Sequence, residues 1–208
     1  LIYRPTDFAA VDEWIGLWNE WAVAEGLPGI CFVKTLTCFD ARPARPPFSA
    51  SASFEPWLTE RRHSRFTDRV TKLATRTLYR AAQACGFDAT FRLSYDVIWE
   101  DILRRRHGRD DFPGAFVGWD NTPRLGRRSR MVAGGTPEKF GGFMRRLLAN
   151  AVRDGAPFVF VNAWNEWAEG AYLEPDERHG HAYLEQLAAA VESCRNDCQA
   201  GATNATTT

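Results

Sequence analysis

Apolar residues recur along the chain at two spacings, one helical and one strand-like. Val11, Trp14, Ile15, Trp18, Trp21 and Ala22 lie three or four apart, and Gly26 follows as a stop, which predicts a helix over 11–25. Its three tryptophans are expected to pack into the core from one face. The same spacing predicts helices over 66–85, over 95–107 and over 180 to about 196. Thr136, Pro137 and Glu138 form a helix start, with proline at the first position and an acid in the first turn. That helix is expected to run to about Arg153, with Gly155 closing it. Compact apolar runs predict buried strands at 29–36, 91–94, 115–119 and 158–162, and a short apolar segment at 1–3 stops at Pro5. Pro43, Pro46 and Pro47 among small residues predict a long loop over 37–53. Residues 200–208 are low in complexity and are expected to form a disordered tail after a domain spanning 1–199.

About five strands alternating with helices predict an α/β fold with a parallel sheet. A doubly wound open sheet and part of a (β/α)8 barrel both fit. No glycine-rich turn follows the first apolar segment, against a dinucleotide-binding sheet. A complete barrel needs eight strands on roughly 250 residues. The 208 residues here are therefore expected to be the later part of one, with Leu1 at an unpaired sheet edge.

Charge and composition narrow the classes. Lys plus Arg and Asp plus Glu both number 26, so no bulk positive field exists for a phosphate backbone and nucleic acid is not an expected partner. The basic runs 104–106 and 124–130 have acidic or apolar neighbours and are expected on solvated faces or loops. No apolar run approaches the roughly 20 residues that span a bilayer, and no basic region followed by an apolar core marks a signal peptide. A cytoplasmic location is expected, although the chain begins without Met. Five scattered cysteines with no C-x-x-C pair predict free, buried thiols in a reducing compartment.

The polar chemistry concentrates at 158–176, FVFVNAWNEWAEGAYLEPD. An apolar strand runs directly into two tryptophans, two asparagines and two glutamates. Strand C-terminal ends are where active sites lie in such folds. Glu166 and Glu169 are three apart, so a helical turn would put both carboxylates on one side. Paired carboxylates break or make glycosidic bonds, one protonating the leaving oxygen and the other acting as nucleophile or base. Trp164 and Trp167 offer flat faces for sugar rings, and Asn162 and Asn165 offer partners for hydroxyls. Tyr172 and Glu174 are candidates for the site entrance; Glu174-Pro175-Asp176 equally suits a turn. A second strand, in FVGWDNTPR, ends in Trp119, Asp120 and Asn121, the same residue classes, and suggests one shared site. Asp-Asn-Thr-Pro is also good turn chemistry. No Asp-x-Asp pair and no glycine-rich phosphate loop occurs, so neither metal nor cofactor is expected. A lipid-linked or nucleotide donor bound by residues outside this chain stays open.

The phrases VGWDNTPR, GGTPEKF and FVNAWNEWAEGAYLEPD with HGHAYLEQL resemble the WbsX glycosyltransferase family, also described as a glycoside hydrolase family 99-like domain. The resemblance extends to LIYRP and EGLPGI and implies a (β/α)8 barrel, of which this chain is the C-terminal portion. It implies a transferase of O-antigen, lipopolysaccharide or other surface-polysaccharide synthesis, with a carbohydrate substrate. Asn165 to Gly170 is similar to the N-E-W-H-E-G motif of family 99 endo-mannosidases, with Ala168 in the place of His. By that likeness Glu166 deprotonates a sugar 2-hydroxyl and Glu169 is the general acid/base. Endo-acting hydrolysis and a non-catalytic carbohydrate-binding module are the rival readings; retention of both glutamates speaks against the second.

Overall fold

The computed structural model describes residues 1–66, 69–87, 91–126 and 130–205. After a 3-10 turn at Pro5–Asp7, the elements in chain order are α1 (Val11–Ala24), β1 (Val33–Leu36), β2 (Ala50–Ser53), α2 (Trp57–Phe66), α3 (Arg69–Ala84), β3 (Phe91–Ser94) and α4 (Tyr95–Leu103). They continue with β4 (Asp111–Phe112), β5 (Gly114–Phe116), β6 (Trp119–Asp120), α5 (Thr122–Leu125), β7 (Arg130–Ala133), α6 (Pro137–Asp154), β8 (Phe160–Asn162), β9 (Asn165–Glu166), β10 (Ala171–Tyr172) and α7 (Ala182–Ala205). Parallel strands alternating with helices make this a mixed α/β fold.

One group of parallel strands starts from the N-terminal segment. Ile2 bridges to β1, β1 pairs with β2, and β2 with β4. Only Pro113 separates β4 from β5, and β5 pairs in parallel with β8. A second group joins β3 to β7 in parallel and β7 to β6 in antiparallel register. Among the described residues no sheet closes on itself.

Two amphipathic helices supply much of the core. In α4, Tyr95, Ile98, Trp99, Ile102 and Leu103 recur at helical spacing and all are buried, and the Ser94 hydroxyl accepts from the Val97 N–H at its start. In α6, Phe140, Met144, Leu147 and Ala151 form the buried stripe. Thr136 caps its first turn and Gly155, at φ 73°, ends it in the left-handed region. Trp99 stacks between Phe116 and Phe143, each ring centroid 5.4 Å away, so this core joins helix to strand through aromatic faces.

Several expectations are corrected. Residues 50–53, placed in a long loop, form β2, a wholly buried strand between β1 and β4. Its Ala-Ser-Ala-Ser sequence carries no bulky apolar signal, and small side chains are what a closely approached strand admits. Trp14, Trp18 and Trp21 are 47%, 42% and 54% exposed, and α1 buries Ile15 and Ala22 instead. The helix expected over 66–85 is α3, which starts at Arg69, and α2, over Trp57–Phe66, was not expected; residues 67–68 lie outside the described residues. The helix from Tyr95 ends at Leu103, not at 107. The strand expected over 115–119 divides into β5 and β6, and β7 was not expected; only its first residue, Arg130, belongs to the basic run. β6–β7 and β9–β10 are antiparallel, so the strands are not all parallel.

The thiols are free, but Cys31, Cys85 and Cys198 are exposed and the other two half-buried, against the expectation of burial. Of the run 104–106, Arg104 and Arg106 are exposed and pair with Asp101 and Asp154, whereas Arg105 is largely buried against Glu55. Residues 127–129 of the other run lie outside the described residues. The last helix continues to Ala205; residues 206–208 of the expected tail lie outside the described residues. Among the described residues, no helix is long and apolar enough to cross a membrane.

Candidate active site

The two polar segments leave the same edge of the parallel pair β5–β8. Phe116 and Asn162 are in register, and the Val117 N–H donates to the Asn162 carbonyl at 3.2 Å. Both chains then continue past the strand C-terminal ends, where sequence reasoning placed the chemistry.

Beyond β8 the chain forms a hairpin rather than a helix. β9 and β10 pair antiparallel, Glu166 opposite Ala171 and Asn165 opposite Tyr172, with a 3-10 turn at Trp167–Glu169 between them. The Trp164 carbonyl accepts the N–H groups of both Leu173 (2.9 Å) and Glu174 (3.0 Å), closing the hairpin base. Gly170, at φ 61°, makes the reversal in a conformation that L side chains rarely adopt. A Cβ there would also lie 3.1 Å from the Asp120 nitrogen, so the missing side chain lets the two segments approach.

Of the two glutamates, Glu169 is the one with side-chain partners among the described residues. Its Oε1 accepts from Arg124 Nη1 at 2.9 Å and from Asn121 Nδ2 at 3.4 Å. Burial raises its proton affinity most, the nearby charge of Glu166 raises it further, and Arg124 opposes both. Glu169 also acts electrostatically on Tyr3, whose phenol is pushed up first by burial. Glu166 is exposed. The two glutamates thus have unequal surroundings.

The other sequence candidates divide by role. Trp164 and Trp167 are about half exposed, at 54% and 48%. Trp167 stacks on Tyr172 at 3.8 Å, and its indole N–H donates to Glu174 Oε2 at 2.6 Å. The Tyr172 hydroxyl donates to Asp176 at 2.9 Å; burial first, and then Asp176, push that phenol up to about 12. Asn165 is exposed on β9. Asp120 accepts the Thr122 N–H at 2.9 Å, turn chemistry that shapes α5. Trp119 is buried, edge-to-face on Trp57 at 5.1 Å, and Asn162 donates to the Glu55 carbonyl at 2.9 Å. These last two brace the site from within.

Arg124 and Tyr3 escaped sequence reasoning. Arg124 was visible only as part of a basic run, and Tyr3 as part of an apolar segment. Beside the hairpin lies a cleft of about 830 Å³, lined by Trp167, Gly170, Tyr172, Arg178, His179 and Tyr183 among others, and not by either glutamate. Among the described residues no group of three His, Cys, Asp or Glu side chains is placed to hold a metal ion.

A family profile described as "Glycosyltransferase WbsX" matches residues 1–187. Two proteins of Xanthomonas campestris pv. campestris, both described as "uncharacterized protein WxcX", are each 39% identical to the chain. In one strain the match covers 101 residues, 44% of this chain, and in strain B100 it covers 95 residues, 42% of this chain. Either match takes in 14% of the relative's own length, so the chain spans a small part of these proteins. No solved structure matches.

Proposed function

Because the chain belongs to the WbsX glycosyltransferase family, we propose that it is a carbohydrate-active enzyme that transfers a glycosyl unit in bacterial O-antigen or other surface-polysaccharide synthesis, in the cytoplasm. The observation that carries this reading is the unequal glutamate pair. Glu169 is held by Arg124 and Asn121, with its proton affinity raised by burial and by Glu166, while Glu166 is exposed. A carboxyl that keeps its proton to higher pH than an ordinary glutamate suits a general acid. Glu169 takes that role, delivering a proton to the leaving oxygen and recovering one from the acceptor. Glu166 activates the sugar for attack. Trp164 and Trp167 offer exposed faces against which sugar rings stack. The parallel succession from Ile2 through β1, β2, β4 and β5 to β8 supports placing these strands in one wall of a (β/α)8 barrel, with the glutamates on its C-terminal rim.

The test is turnover of Glu166→Gln and Glu169→Gln on donors with good and poor leaving groups. General acid/base action contributes about 10²–10⁴-fold, so Glu169→Gln is expected to lose that factor on the poor leaving group and to recover much of it on the good one. Glu166→Gln is expected to keep sugar binding and lose turnover on both. Wild-type rates in both variants would leave the glutamates structural. Water and sugar acceptors compared in the same assay separate hydrolysis from transfer, since the same acid serves either.

A further inference from the structure

Arg124 lies on α5, the short helix that follows Trp119–Asn121, and reaches across 45 residues of sequence to Glu169. The pair is lopsided: the Arg124 side chain is 55% exposed and that of Glu169 19%. One nitrogen of the fork meets Glu169, and the remainder faces outward. An ion pair with one partner in solvent is weak, so exchanging it costs little. The guanidinium keeps its full charge at working pH, and a diphosphate carrying two charges competes well with a single carboxylate.

We propose that Arg124 is a positioning residue that pairs with Glu169 in the free site and transfers its charge to a phosphate of the glycosyl donor when that donor binds. This rests on the reading of Glu169 as the acid/base. The groups acting on Glu169 are Arg124 from α5, Glu166 from β9 and, from the N-terminal segment, the Tyr3 phenol on which Glu169 acts in return. Arg124 is the cation among them. Once it turns to the phosphate, burial and Glu166 remain, and both favour the protonated form. Glu169 then takes one proton from solvent and stands ready to donate it. Binding of the correct donor thereby arms the acid.

The test follows the Glu169 carboxyl directly, by NMR of protein carrying ¹³C-labelled glutamate, with Glu169→Gln identifying the resonance. The probe is inorganic pyrophosphate. The Glu169 midpoint is expected to rise in wild type on adding pyrophosphate. It is expected to start higher in Arg124→Gln and to ignore pyrophosphate there. Arg124→Lys keeps the charge and is expected to restore the response. Equal midpoints in wild type and Arg124→Gln, an equal pyrophosphate response in both, or no response in Arg124→Lys would each overturn the proposal. Glucuronate is the control for a sugar carboxylate; a response to it and none to pyrophosphate overturns the phosphate assignment. None of these readouts needs turnover. Fully active glutamate variants with the pyrophosphate response intact would remove the catalytic reading and leave Arg124 as an anion site. Inactive variants with no response would remove the exchange alone.

Discussion

Trp167 and Tyr172 show how single side chains build the wall of the hairpin. Trp167 opens the 3-10 turn and Tyr172 follows it on β10; the two stack at 3.8 Å, and each ties its polar tip to a carboxylate further along the chain. The Tyr172 hydroxyl thus has a fixed acceptor in Asp176. Removing it by Tyr172→Phe keeps the ring and its stacking but leaves the carboxylate without that donor. A hydrogen bond to a charged group contributes about 1.5–3 kcal/mol, and partial exposure puts the expected loss at the low end. Thermal unfolding of the variant measures it. An unchanged midpoint would mean that water replaces the hydroxyl without cost. The aromatic and acidic types at 164–174 were legible in sequence, because a strand running straight into them has no packing use for so many polar groups. Which tryptophan is buried was not: Trp119 and Trp164 look alike in sequence, yet one packs on Trp57 and the other is half exposed.

Among the elements, β2 depends most on a residue far from it. A Cβ on Gly114 would lie 2.0 Å from the Ser53 carbonyl oxygen, a backbone atom that no rotamer change can move. Gly114→Ala must therefore part β2 from β5. Overpacking of this kind costs about 1–3 kcal/mol, and a backbone clash belongs at the top of that range. Gly142 in α6 is the control, since a Cβ there meets nothing within 4 Å. Gly142→Ala should stabilise by about 0.5–1 kcal/mol through helix propensity alone. Urea midpoints of the two variants should move in opposite directions at unchanged slope. A Gly114→Ala protein as stable as wild type would show that the strands separate freely there. Helices α4 and α6 were readable in advance, since caps and periodicity act within a turn or two. β2 was not, because alanine and serine signal burial only through the strands on either side.

At the scale of the molecule, the charge cluster around buried Asp40 contributes to acid stability. The guanidinium of Arg42 and the ammonium of Lys34 both donate to Asp40 and hold its carboxyl well below the ordinary aspartate value of 3.8. The carboxyl is ionised in the folded chain at pH values where the unfolded chain already binds a proton. Its contribution is therefore complete above about pH 4 and is lost as pH falls further. Asp40→Asn should lower stability at pH 7, where Lys34 is left buried beside a neutral amide, and should flatten the fall in stability below pH 4. Unfolding midpoints between about pH 2 and pH 7 test this. An unchanged acid limb in the variant would assign acid sensitivity to other carboxylates.

The amino-acid sequence by itself determined the α/β alternation, the helix capped by Thr136 and Gly155, and the site-bearing segment at 158–176. These rest on hydrophobic periodicity, on backbone groups satisfied within a few residues, and on a polar cluster too dense for packing. Tertiary structure alone decided the rest. It turned the tryptophans of α1 outward, because the buried face of α1 comprises only Ile15 and Ala22. It made a strand of four small residues, because two neighbours close on them. It brought Asn121 and Arg124 onto Glu169 across 48 and 45 residues of chain. No local rule connects positions so far apart: their contact exists only because β5 and β8 lie side by side and lead both segments to the same edge.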